Sequence, residues 1–165
     1  MAIGSQKRSE LTKTLSRVNF SSTLGILLVS ISSAFAAVTY SVQAPANSNA
    51  GDTLPITVSV NTGDATVAGM SFTLTATGPF TFDAPSRGAF SSTAFPTFNC
   101  NRIEVNTKVV CSISGTSGVT GGSGIIANLP GTATGSFSLA LSNLGSQDDL
   151  GDTVPSQGPA AATSV

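Results

Sequence analysis

After residue 37 the hydrophobic positions of this chain alternate with polar ones at a period of two, the spacing that puts one face of a β-strand into a core and the other into water. Val38, Tyr40 and Val42 form the first such set, and after a loop at 44–52 Leu54, Ile56, Val58 and Val60 form the second. Pro55 sits near the start of this second strand, where a missing N–H is tolerated. A third set, Met70, Phe72 and Leu74, is entered through Gly63-Asp64 and left at Gly78-Pro79, and a short strand at 80–83 follows. Residues 84–94 read as a loop. A glycine-rich loop at 115–124 precedes Ile125 and Ile126, and a last clear alternation carries Phe137, Leu139 and Leu141. The tail 160–165 is apolar enough to close the fold as a strand if another strand pairs with it. No segment after residue 37 has a helical apolar period.

Residues 95–114 hold both cysteines and read as a hairpin. With a four-residue loop at 104–107, Ile103 faces Lys108, Arg102 faces Val109, Cys100 faces Cys111 and Phe98 faces Ile113. Facing side chains of an antiparallel pair approach disulfide range, so a Cys100–Cys111 bridge is expected. A redox-active pair is not indicated, because no Cys-x-x-Cys motif and no histidine is present to hold a thiolate.

The segment 24–36, LGILLVSISSAFA, breaks the alternating pattern. It follows a leader carrying Lys7, Arg8, Lys13 and Arg17 against one acid, Glu10, and it ends in the small-x-small triplet Ala34-Phe35-Ala36. This is the layout of a secretory signal peptide, with cleavage expected between Ala36 and Ala37. The predicted organisation is therefore a leader at 1–36 and one domain at 37–165, secreted or extracellular, or held in a periplasm or at a cell surface. No later apolar run reaches about 18 residues, so no membrane anchor is expected after cleavage.

Composition narrows the class. The region after residue 36 is rich in Ser, Thr, Gly, Ala and Val and poor in helix formers, which with the strand rhythm predicts an all-β fold. The specific expectation is a single jelly-roll or immunoglobulin-like sandwich of about nine strands. Arg87, Arg102 and Lys108 stand against Asp52, Asp64, Asp83, Glu104, Asp148, Asp149 and Asp152, a formal charge of −4. With no basic patch, nucleic acid is excluded as a partner class.

The chain has no histidine, which removes Ser-His-Asp and Cys-His catalysis and most transition-metal sites. Asp148 and Asp149 are the one adjacent carboxylate pair. On a strand they would point apart and in a turn both would be wet, so neither suits a general acid, and no catalytic residue is assigned. Asp148, Asp149 and Asp152 are the calcium candidates, but their spacing matches no standard loop. They read as a solvated turn, and no metal or cofactor is assigned. The region after residue 36 lacks Trp and has one Tyr, and most of its Phe lie at inward strand positions. Phe90, Phe95 and Phe98 straddle a loop and are read as a satellite core beneath it in preference to a sugar platform.

Five segments in order resemble the cohesin domain. They are Gly51-Asp52-Thr53; the run Val67-Ala68-Gly69-Met70-Ser71-Phe72-Thr73-Leu74; Gly124-Ile125-Ile126-Ala127-Asn128-Leu129; Leu141-Ser142-Asn143-Leu144; and Asp149-Leu150-Gly151-Asp152-Thr153-Val154-Pro155. The resemblance implies a jelly-roll sandwich related to cellulose-binding modules, and a non-catalytic module that docks a dockerin-bearing protein or associates with polysaccharide. The chain departs from the family where Ala76-Thr77-Gly78-Pro79 replaces a usual Tyr-Asp-Pro segment, in the short stretch 129–135, and in its cysteine pair. No partner-contacting residue is carried over by position, and the ligand-binding residues are not assigned. The competing expectation is a structural or adhesive surface subunit that self-associates through edge strands, with the tail 160–165 as the strand to watch.

Overall fold

The computed structural model describes residues 37–47, 49–159 and 163–164, the last two as backbone. The leader 1–36, with the expected cleavage point after Ala36, lies outside these residues, as do residues 160–162 and 165 of the tail. In chain order the strands are β1 (Val38–Gln43), β2 (Thr53–Leu54), β3 (Thr57–Asn61), β4 (Val67–Thr77), β5 (Phe80–Phe82), β6 (Ser86–Arg87) and β7 (Thr97–Ile103). They continue as β8 (Lys108–Val119), β9 (Ser123–Asn128), β10 (Gly131–Ala133), β11 (Ser138–Gln147), β12 (Thr153–Val154), β13 (Ser156–Gln157) and β14 (Thr163–Ser164). A six-residue helix, α1 (Ala89–Ala94), lies between β6 and β7.

The first sheet has the order β13-β1-β3-β9-β6 and a short one has the order β2-β10-β5. The second large sheet runs β12-β11-β4-β8-β7, with β14 on β11. Several of the passages from one sheet to another contain a proline, although those at 62–66, 120–122 and 134–137 do not. Pro55 separates β2 from β3, Pro85 lies between β5 and β6, Pro130 between β9 and β10, and Pro155 between β12 and β13. A proline has no N–H for the ladder, so these are the points at which a strand leaves one set of partners for another. Joined across the prolines, the fourteen segments become ten paths, close to the sequence expectation of about nine.

The core is the set of inward positions that alternation predicts. Tyr40, Ile56, Val58, Phe72, Leu74, Val109, Ile113 and Leu139 are all buried. Phe80 stacks on Phe137 with ring centroids 4.4 Å apart and meets Phe82 edge-on at 4.9 Å, filling one end of the sandwich. Offset and edge-on pairs of this kind suit the ring quadrupole.

Two sequence expectations are corrected. Residues 84–94 are not simply a loop, since β6 adds to β9 and α1 then packs against β9 and β8. Ser91, fully buried, donates to the carbonyls of Gly88 and Ile126, which ties the helix to the sheet. Phe95 is fully buried below it, with Phe90 5.9 Å away between ring centroids and Phe98 packed on the same core. The glycine-rich loop at 115–124 is also shorter than expected. β8 continues to Val119, which pairs with Val67 beyond an irregularity in the ladder, and β9 begins at Ser123.

Candidate functional site: the outer face of the second sheet

Four long strands, β11, β4, β8 and β7, present one continuous outer face, and the ladder registers fix which residues share it. The row Gln147, Gly69, Ser114, Thr97 crosses all four strands. The next is Gly145, Ser71, Ser112, Asn99, followed by Ser142, Thr73, Val110, Asn101. The last is Ala140, Thr75, Lys108, Ile103. The face is thus mostly short hydroxyl and amide side chains, interrupted by Gly69, Gly145, Ala140, Val110 and Ile103, and its one charged member is Lys108.

Three features shape this face. Where two rows have glycine in place of a side chain, at Gly69 and Gly145, the face sinks into a dent of about 270 Å³ lined also by Ser71, Ser112, Gln147 and Thr153. A second hollow of about 260 Å³ continues it past Gly69, Ser114 and Gln147 to the 148–151 turn. In β11 the ladder shifts between Ser142 and Gly145, where Asn143 has φ 50°. Asn143 donates from Nδ2 to Thr73 Oγ1 at 3.3 Å, covering an outward threonine that is only 5% exposed.

Among the described residues the large hydrophobic side chains that remain exposed are Ile103 (41%), Val105 (89%), Val110 (40%) and Leu150 (83%). All four lie on this sheet or on its connections. Ile103 and Val110 are diagonal neighbours on the outer face, Val105 tips the β7–β8 loop, and Leu150 tips the turn after β11. Glu104, Val105 and Asn106 all have positive φ, at 52°, 55° and 65°. For a β-branched valine this is a strained backbone state. The loop is held from below by Phe82 N–H to the Asn106 carbonyl and Ala76 N–H to the Thr107 carbonyl, while Lys108 pairs with Glu104 above.

The predicted site residues fall as follows. The hairpin register is the expected one at every pair, and Cys100 and Cys111 form a disulfide with Cα atoms 4.1 Å apart. Asp148, Asp149 and Asp152 lie in the turn bordering the second hollow. Asp148 Oδ1 accepts from the N–H groups of Leu150 and Asp152, so this carboxylate is spent on turn geometry. Among the described residues no group of three or more His, Cys, Asp or Glu is arranged to hold a metal ion, and no helix is long and apolar enough to cross a membrane. The Phe90–Phe95–Phe98 set belongs to the core, and Arg87 lies over the Phe98 ring at 5.6 Å. Sequence reading did not single out Gly69, Gly145, Ile103 or Val110 as surface features. Val110 was accessible from alternation, since its neighbours Val109 and Cys111 point inward, but the dent depends on cross-strand register.

No protein-family model matches the sequence, and no curated protein matches it. Solved structures do match. A non-cellulosomal cohesin from the archaeon Archaeoglobus fulgidus superposes with a TM-score of 0.64 at 17% identity, over 74% of this chain and 86% of that one. The type I cohesin of a cohesin–dockerin complex from Clostridium thermocellum gives 0.66 at 11% identity, over 78% and 92%. A type II cohesin domain from the cellulosome of Acetivibrio cellulolyticus gives 0.61 at 8%, over 78% and 95%. The chain therefore has the fold of the cohesin domain.

Proposed function

We propose that this chain is an exported, non-catalytic docking module that binds a dockerin-bearing protein through the outer face of the second sheet. The observation that carries the reading is the exposed apolar pair Ile103 and Val110 on a face whose four rows hold one charge, with Leu150 on the turn at its far end. Apolar anchors within a polar, low-charge surround are the anatomy of a protein interface. From the Thr75 row to the Gly69 row the face spans seven residues of β4, six rises or about 20 Å at the usual strand spacing. A partner helix of about 13 residues covers that length. Solved cohesins of this fold include complexes with dockerins, which supports the choice of partner. A sugar platform is less well supported, since Phe72, Phe80, Phe82, Phe95 and Phe137 are all buried.

The test is to immobilise the oxidised protein, expose it to the culture fluid of the producing cells, and elute with a calcium chelator. The reading predicts release of a polypeptide carrying paired EF-hand-like repeats, and loss of that capture with Val110→Asp. Release of no such polypeptide, or capture untouched by the substitution, contradicts it.

A further inference from the structure

Sheet edges are where one chain pairs with another, and this fold treats its edges unequally. The first sheet ends in β13 and β6, which cover two residues each of β1 and β9, and the second ends on one side in β12 and β14, which cover the two ends of β11. Its other edge, β7, is seven residues long and, among the described residues, pairs only with β8. The backbone groups it offers can be read from the disulfide. A Cα separation of 4.1 Å at Cys100–Cys111 marks a non-hydrogen-bonded pair of the β7–β8 ladder. Cys100, and by alternation Phe98 and Arg102, therefore turn their N–H and C=O groups away from β8 and toward the open edge. The bridge also fastens the strand to β8, so the edge is presented rigidly.

We infer that β7 is a self-association edge that pairs antiparallel with β7 of a second copy about a two-fold axis at Cys100. In that register Phe98 meets Arg102 of the other copy, and each Cys100 meets its counterpart. These are the residues whose backbone groups are free, so the pairs form in the hydrogen-bonded parity. On the outer face Asn99 meets Asn101 of the other copy and Thr97 meets Ile103. Asparagine carries both a donor and an acceptor, so the Asn99–Asn101 contacts are self-complementary. The same two residues already bond within the chain, Asn101 Nδ2 to Asn99 Oδ1 at 2.9 Å, which shows that their side chains lie along the same face. The usual protections against such pairing are weak. The strand has no lysine, and its one charge, Arg102, donates from Nη1 to the Phe82 carbonyl at 3.1 Å. A second copy fits this edge better than an unrelated extended peptide because it presents the same two asparagines in return, each able to donate to and accept from its partner across the axis.

The test is the mass of the protein recovered from the producing culture, followed by sedimentation over rising concentration. The inference predicts a concentration-dependent dimer. Asn99→Lys with Asn101→Lys sets like charges opposite one another across the axis and should weaken association at least about tenfold. Asn99→Asp with Asn101→Lys sets opposite charges there and should retain the dimer, with thermal unfolding of both variants confirming that the exposed changes leave the fold intact. A monomer at all concentrations up to about 1 mM overturns the inference, as does a dimer indifferent to the lysine pair. A monomer that binds an added extended peptide at this edge overturns it too, in favour of strand addition by another chain.

Discussion

The phenol oxygen of Tyr40, on β1 of the first sheet, lies 2.9 Å from the hydroxyl of Ser146 on β11 of the second, and donates to the Gly145 carbonyl at 2.8 Å. Ser156 Oγ adds a third hydroxyl, 3.0 Å from that of Ser146. The chain of bonds joins the two sheets directly beneath the Gly69–Gly145 dent. It explains how a serine can be 1% exposed without an unsatisfied oxygen.

Replacing Tyr40 with Phe removes the shared partner of Ser146 and the Gly145 carbonyl, and is expected to cost about 1 to 3 kcal/mol in urea unfolding. Burial raises the Tyr40 phenol above its ordinary value near 10, although its bonds to Ser146 and the Ser71 backbone pull the other way. A folded-state value above the unfolded one means that this contribution is complete below pH 10 and is lost as pH climbs toward the folded value. The protein should therefore lose stability above pH 10 more steeply than Tyr40→Phe. Because Tyr40 is the single tyrosine of the chain, its tyrosinate absorbance reports the titration directly. Parallel pH profiles for the two proteins would refute the assignment.

The Cys100–Cys111 bridge spans a sequence separation of 11, and in the chain-entropy picture such a loop contributes about 2 to 3 kcal/mol. Cys100→Ala with Cys111→Ala should lower the unfolding free energy by that amount while leaving the remainder of the hairpin register in place. A change near zero would mean that the other six registered pairs of β7 and β8 restrict the unfolded hairpin as much as the bridge does.

Two glycines should respond in opposite ways. A Cβ at Gly88 would overlap the Ile125 carbonyl where α1 meets β9, so Gly88→Ala is expected to cost about 2 kcal/mol or more. A Cβ at Gly69 meets only the Gln147 side chain, at 3.7 Å, so Gly69→Val should leave the melting temperature nearly unchanged while filling the dent. If the outer face is the docking surface, Gly69→Val weakens partner binding without unfolding the protein. A variant that binds the partner as before would remove the dent from the site.

The hairpin could be read from sequence because a four-residue loop at 104–107 brought the cysteines opposite each other, even though Ile103 and Val110 break the alternation of its arms. The inward positions of β1, β3, β4 and β11 were legible from alternation, since each strand has one face in water. Helix α1 was not legible, because six residues are under two turns and show no apolar period. Its residues Ser91, Ser92 and Thr93 read as loop until their hydroxyls are seen bonded to the carbonyls of Gly88 and Ala89. The end of β8 was hidden by its Gly, Ser and Thr content, which resembles a loop until β4 supplies a ladder. The outer face is a subtler case. Its polar members follow from alternation, but the alignment of Gly69 beside Gln147 and Gly145 beside Ser71 belongs to strand pairing, which a linear sequence does not display.

The most direct test of the docking account is a calorimetric titration of a calcium-loaded dockerin module, from the polypeptide released by chelation, into the protein and into its Ile103→Asp and Val110→Asp variants. The account predicts saturable binding that calcium removal abolishes, and affinity at least about tenfold weaker in each variant while their unfolding temperatures stay close to that of the parent. Equal affinity in all three proteins, or no binding by the parent, would contradict the assignment of this face as the docking surface.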